Sequence, residues 1–129
     1  MTLEERAELA AARKQGQYNC CQAVLLALAD QTGLTEEQLI SMGSVFGAGM
    51  GDMEATCGAL VGAGIAAGLA MGQSRCTPAA RRLSACFRQK CGAERCRDLK
   101  GVGQSAPVCS CDACVRNAVL SYGETVGLQ

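Results

Sequence analysis

FGAGMGDMEATCGALVGAGIAAGLAMG, residues Phe46–Gly72, decides how the rest of the chain is read. A glycine loop runs into Cys57, and Cys57 opens a long run of small apolar residues. No charge occurs from Ala55 to Gly72, which predicts a buried segment. Plotted as a helix, Cys57 shares one stripe with Val61, Gly64, Gly68 and Gly72, with Gly58 and Gly62 beside it. Ala59, Ala63, Ala66, Ala67 and Ala70 fill much of the opposite side. Each glycine costs an isolated helix about 1 kcal/mol against alanine. Close packing is the expected offset, with other backbones approaching from nearly every side. The stretch reads as the central helix of a small bundle, with Cys57 at its mouth. The uncharged run is near the lower length limit of a membrane span, and Gly64 and Gly68 have small-xxx-small spacing. Glycine and alanine dominate it, however, and Leu60, Val61, Ile65, Leu69 and Met71 are its only bulky apolar residues. The expectation is no membrane span.

Upstream of this stretch the helix signals are local and strong. Thr2-Leu3-Glu4-Glu5 is a capping box, and Gly16 stops the helix it opens. Leu3, Ala7, Ala10 and Ala11 give that helix, residues 1–16, a thin apolar face suited to a docking arm or a homodimer contact. Asn19 is a good N-cap, which puts Cys20 at a first helical position. Val24, Leu25 and Leu28 form the stripe of that second helix, and Gly33 ends it. Thr35-Glu36-Glu37-Gln38 is another capping box, opening a short helix to about Met42. Gly47, Gly49 and Gly51 then alternate. They lack a full phosphate-loop pattern and follow no strand, so their expected role is to let backbone approach something bulky. Thr56 can cap the central helix and put Cys57 first. Alternatively the helix begins near Asp52, with Cys57 in its second turn.

Downstream, Thr77-Pro78 signals a helix start, and that helix runs to Lys90 or Cys91 with Gly92 beyond. Leu83 and Phe87 face inward, while Arg75, Arg81, Arg82, Arg88 and Lys90 read as a solvated face. Glu94–Leu99 is a short helical turn ended by Gly101, and Gly101–Val108 is a loop. Ser110 caps the last helix with Cys111 first; its apolar residues are Val115, Ala118, Val119 and Tyr122. No strand, linker or repeat is evident. The fold class is all-α, a single domain over residues 1–129, built as a compact bundle of about five or six helices.

Charge and composition exclude several functions. Lys plus Arg and Asp plus Glu are both 12, and aromatics are few, so no nucleic-acid binding is expected and base stacking is not indicated. No secretory pattern opens the chain, so the expected location is the cytoplasm. There, ten cysteines point to metal binding or thiol redox chemistry rather than to structural disulfides. Histidine is absent, which removes Cys–His nucleophile pairs and mixed Cys/His metal sites.

Three cysteines directly follow capping residues: Asn19-Cys20, Thr56-Cys57 and Ser110-Cys111. Helix N-termini carry partial positive charge and free amide donors, so thiolates there are stabilised and their pKa values fall. Converging helix starts would make a thiolate pocket without histidine. Cys111-Asp112-Ala113-Cys114 has the spacing of a dithiol or of two ligands of a tetrahedral metal. Cys91 and Cys96 match part of a ferredoxin spacing. Cys76 and Cys86 read as small buried residues.

In order and spacing, Asn19-Cys20-Cys21-Gln22-Ala23-Val24, Phe46-Gly47-Ala48-Gly49-Met50, Cys57-Gly58-Ala59-Leu60-Val61-Gly62, Cys96-Arg97-Asp98-Leu99 and the final cysteine segment resemble the C-GCAxxG-C-C family of redox-active proteins. That family is marked by four cysteines. The resemblance places them at Cys20, Cys57, Cys96 and Cys111, with Cys114 as the alternative fourth. Cys21, Cys76, Cys86, Cys91 and Cys109 are extra.

Three readings follow. In the first, Cys20, Cys57, Cys96 and Cys111 ligate an iron–sulfur cluster for electron transfer or redox sensing, with Gly49 and Gly58 bringing backbone close to it. In the second, a metal-free thiol redox protein attacks a small disulfide or a partner protein. In the third, the thiolates hold structural or carried zinc.

Overall fold

A computed structural model describes residues 1–129. The chain is all-α. Its elements are α1 (Leu3–Gln15), α2 (Cys20–Ala27), α3 (Ala29–Thr32), α4 (Glu36–Gly43), α5 (Gly58–Met71), α6 (Cys76–Cys91), α7 (Cys96–Lys100) and α8 (Cys111–Val126). Six of these have eight residues or more; α3 and α7 are single-turn pieces. No helix is long and apolar enough to cross a membrane.

The capping chemistry acts where the sequence puts it. Thr2 and Glu5 close the box that starts α1, and Thr35 and Gln38 close the one that starts α4. Asn19 caps α2, and Gln22 completes a third box by accepting the Asn19 amide at 3.0 Å. The Ser110 hydroxyl accepts the Ala113 amide at the start of α8.

Three boundaries differ from expectation. The second helix breaks at Leu28, which leaves helical geometry (φ −111°, ψ 16°), and resumes as α3 before Gly33 turns left-handed. The basic helix α6 starts at Cys76 rather than at Thr77-Pro78, because a preceding turn of 3-10 helix, Gln73–Arg75, feeds straight into it. The central helix starts at Gly58, so Cys57 is its N-cap residue rather than its first or second-turn residue. Thr56 is instead paired in an isolated antiparallel bridge with Arg95, which ties its backbone to a distant segment one residue ahead of the cap.

The core lies between α1, α2, α5, α6 and α8. Tyr122, Phe87, Leu25, Leu28, Leu39 and Leu99 are its largest fully buried side chains. The apolar face of α1 packs on α2 and α8 of the same chain. Its Arg6 is buried too, and the guanidinium donates to Asp30 and to the Ala27 carbonyl. The helix α5 packs on α2 and α8, but its surface is not approached from every side. A Cβ on Gly58 would stand 2.4 Å from the Phe46 carbonyl oxygen, and one on Gly62 would stand 2.8 Å from that of Cys21. Gly64 and Gly68 are exposed instead, beside an apolar groove of about 360 Å³ between α5 and α6. The basic side chains of α6 are solvated, as its pattern predicts. Cys76 is exposed and Cys86 half-buried, because both lie off the Leu83–Phe87 face that α6 turns inward.

Candidate functional site: a cysteine-lined cavity

The cavity is built by a backbone clamp between two distant segments. The Cys57 amide donates to the Glu94 carbonyl at 2.8 Å, and the Cys96 amide to the Ala55 carbonyl at 3.0 Å. Arg95 donates through Nε to the Glu54 carbonyl at 2.8 Å. The Glu54 carboxylate accepts from Arg95 and, at 2.6 Å, from Arg97. These contacts fix Cys57 and Cys96 side by side, although 38 residues lie between them in the chain. Helix starts bring the other thiols: α2 supplies Cys20 and α8 supplies Cys111 and Cys114.

Together, Cys20, Cys57, Cys96, Cys109, Cys111 and Cys114 line one cavity of about 230 Å³. Gly47, Ala48, Gly49 and Gly58 form part of its wall, and Lys14 and Lys100 border it. Gly49 is left-handed (φ +55°), and a Cβ there would stand 2.6 Å from the Cys96 Cβ. The glycine loop therefore closes on the thiol-bearing elements themselves. Three non-glycine residues beside it, Ala48, Met50 and Met53, also have positive φ (50°, 63° and 64°). Strain of roughly 1–3 kcal/mol per residue is typical of such positions, and they concentrate at functional sites.

The thiols fall into two contacting groups. Cys20 and Cys111 face one another, and hydrogen bonding between them holds Cys111 down at about 6 while pushing Cys20 up. The second group joins Cys57, Cys91, Cys109 and Cys114. The Cys114 thiol, which donates to the Cys109 carbonyl at 3.7 Å, is also in hydrogen-bonding contact with Cys57 and Cys91; this lowers Cys57, brings Cys91 to about 6, and raises Cys114. Cys57 makes no full capping hydrogen bond, yet the Ala59 and Leu60 amides face its sulfur and favour the thiolate. Burial raises Cys96, Cys109 and Cys21, the last to about 12. Neighbouring thiols thus dominate at all three helix starts: Cys114 lowers Cys57, Cys20 lowers Cys111 and Cys111 raises Cys20, and backbone amides of the helix start contribute only at Cys57.

Within the second group, the sulfurs of Cys91, Cys109 and Cys114 lie within 4.8 Å of one another, a spacing that suits ligands of one metal ion. Of the residues expected from sequence, Cys20, Cys57, Cys96, Cys111, Cys114, Gly49 and Gly58 all meet at the cavity. Sequence reasoning did not give roles there to Cys109, Lys14 and Lys100, nor to Cys91 behind the wall. Cys109 had a signal in its Cys-Ser-Cys spacing to Cys111. Cys91 had none, because only the packing of α6 on α8 brings it in.

A family model described as "Putative redox-active protein (C_GCAxxG_C_C)" matches residues 18–125. Comparison with curated proteins and with solved structures gave no match.

Proposed function

We propose, from the premise that the chain belongs to this C_GCAxxG_C_C family of redox-active proteins, that the cavity is a redox centre holding an iron–sulfur cluster on Cys20, Cys57, Cys96 and Cys111. The observation that carries this reading is the convergence of those four thiols, from four separate elements, on one cavity with close glycine backbone. The donor set fits: thiolates are the usual ligands of such clusters, and no carboxylate lines the cavity. When bound, a cluster of this kind supplies one-electron transfer. The chain's own residues do the rest. Lys14 and Lys100 offset the negative charge that four thiolates bring. Gly49 and Gly58 leave room beside the sulfurs, and the Ala59 and Leu60 amides stabilise charge on Cys57. Cys20 must give up the proton it holds against Cys111, so loading releases protons and strengthens as pH rises. The electron partner we assign is a second protein in the cytoplasm.

The test is anaerobic purification and reconstitution with iron and sulfide, followed by a visible spectrum and iron and sulfide analysis. Brown protein is expected. Cys57→Ser and Cys20→Ser should each lose the chromophore, while Cys76→Ser, exposed and far from the cavity wall, should keep it. Protein that stays colourless after reconstitution would sink the cluster.

The Cys20–Cys111 contact favours a second reading, thiol–disulfide exchange. Cys111 thiolate would attack a disulfide RS–SR and release one RS⁻. Cys20, losing its proton, would then attack the Cys111 sulfur and release the second RS⁻, leaving a Cys20–Cys111 disulfide. The Cys111 thiolate forms as pH rises through about 6. Alkylation of metal-free protein should therefore reach half its limiting rate at Cys111 near that pH, with Cys20 unreactive until far higher. Equal alkylation profiles for the two would remove this reading.

A further inference from the structure

Cys91, Cys109 and Cys114 are not in the ligand set just described, although Cys109 and Cys114 share its cavity, and two of the three are extra to the four cysteines that mark the family. Cys91 is the last residue of α6, Cys109 ends the loop after α7, and Cys114 lies in the first turn of α8. The geometry points to a second centre: we propose that these three thiolates bind a single Cu⁺ ion at the cavity wall, on the side where α6 packs on α8.

The distances separate one ion from a cluster. With metal–sulfur bonds of about 2.3 Å, sulfurs on one ion stand about 3.8 Å apart in a tetrahedron and about 4.0 Å apart in a plane. The three sulfurs, already within 4.8 Å of one another, need to close by less than about 1 Å to reach either figure. A cluster distributes its cysteines over different irons, so its ligand sulfurs are spread more widely. The donor count then selects the ion. Zinc in a closed site takes four ligands, and no fourth cysteine or carboxylate lies within 4.8 Å of all three sulfurs; Cys57, which meets Cys114, belongs to the cavity ligand set. Soft Cu⁺ accepts three thiolates.

The surroundings suit a closed soft-metal site. Cys91 and Cys114 are 4% and 3% exposed. The Asn117 side-chain amide, one turn along α8 from Cys114, donates to the Cys91 sulfur at 3.4 Å. That is a fixed outer-shell donor to a ligand sulfur, the kind of contact that orients a ligand and tunes its metal. The Cys109 amide is tied to the Leu99 carbonyl at 3.1 Å, so its loop is held in place too.

The experiment titrates anaerobic, metal-free protein with Cu⁺ against a competing copper chelator. Wild-type protein should retain one Cu⁺. Cys91→Ser and Cys109→Ser should each weaken that binding by more than about 100-fold, and Asn117→Leu, which keeps all three ligands, by about tenfold. Cys20→Ser and Cys96→Ser should bind as wild type. Far-UV circular dichroism checks folding, and Cys109→Ser, in a half-buried loop position, is the variant least exposed to that problem. Retention of the tight Cu⁺ in folded Cys109→Ser, or its loss in Cys20→Ser, would overturn the assignment. So would displacement of Cu⁺ by an equal concentration of Zn²⁺. Iron and sulfide reconstitution of the same variants keeps the two centres distinct. The chromophore should survive Cys91→Ser, whose side chain does not line the cavity, and vanish in Cys20→Ser, and a colourless wild type would sink the cluster while leaving the copper result standing.

Discussion

The two ends of α5 are made of the same residues and meet opposite fates. Its first turns carry Gly58 and Gly62, pressed against the Phe46 and Cys21 carbonyls, and lead directly from Cys57 at the cavity wall. Its later turns carry Gly64 and Gly68, with only Leu83 Cδ2 at 3.9 Å from a Cβ on the former and nothing within 4 Å of one on the latter. Glycine at the first end is a packing requirement, since a methyl group there collides with backbone that cannot move aside. Glycine at the other end is a stability cost with no contact to offset it. The difference shows that a glycine-rich helix is not uniformly a packing device: the neighbouring chain decides, turn by turn.

Substitutions can break that comparison. Gly58→Ala should do most, costing about 3 kcal/mol because the clash is with main chain and overpacking has no side chain to absorb it. Urea unfolding would measure it, and the cavity should suffer as well, because Phe46 leads into the glycine loop and Gly58 follows Cys57. A fully stable Gly58→Ala would mean the close approach of α2 and the loop is not a constraint. Gly62→Ala should cost less, about 1–2 kcal/mol, since a gap of 2.8 Å needs a smaller shift and alanine returns about 1 kcal/mol of helix propensity. It should also leave any cavity chromophore in place, which separates packing from site geometry. The smallest effect, and of opposite sign, belongs to Gly64→Ala and Gly68→Ala. Each should stabilise by about 0.5–1 kcal/mol, read as a rise in the thermal midpoint. Destabilisation at Gly68 would show that the open groove is filled by something in solution.

A comparable contrast separates the cysteines. Cys20, Cys57, Cys96 and Cys111 are legible in sequence because each sits in a local motif whose order and spacing can be recognised. The cap positions of Cys20 and Cys111 are legible too, since an N-cap and the residue after it are fixed by short-range hydrogen bonding. The same local logic failed for Thr56. A bridge to Arg95, far along the chain, outcompeted its capping role and moved the helix start by one residue. It failed again for Cys20, whose pKa is set less by its helix than by the thiolate of Cys111 across the cavity. Cys91 and Lys14 carry no local mark of any kind; they reach the thiol cluster or its cavity only because α6 and α1 pack on α8.

The sequence by itself therefore determined the helical class, most helix starts, the inward faces of α2, α6 and α8, and most of the thiols that meet at the cavity. All of these rest on interactions within about four residues along the chain: caps, periodic apolar stripes and glycine stops. Tertiary structure alone decided which glycines of α5 are gripped, how the Glu54–Cys57 and Glu94–Arg97 segments clamp two cysteines together, and how the thiols divide into a cavity set and a close trio. Those features depend on contacts between segments far apart in the chain, such as Cys91 reaching Cys109 and Cys114, two thiols that also line the cavity, and a linear pattern carries no record of them.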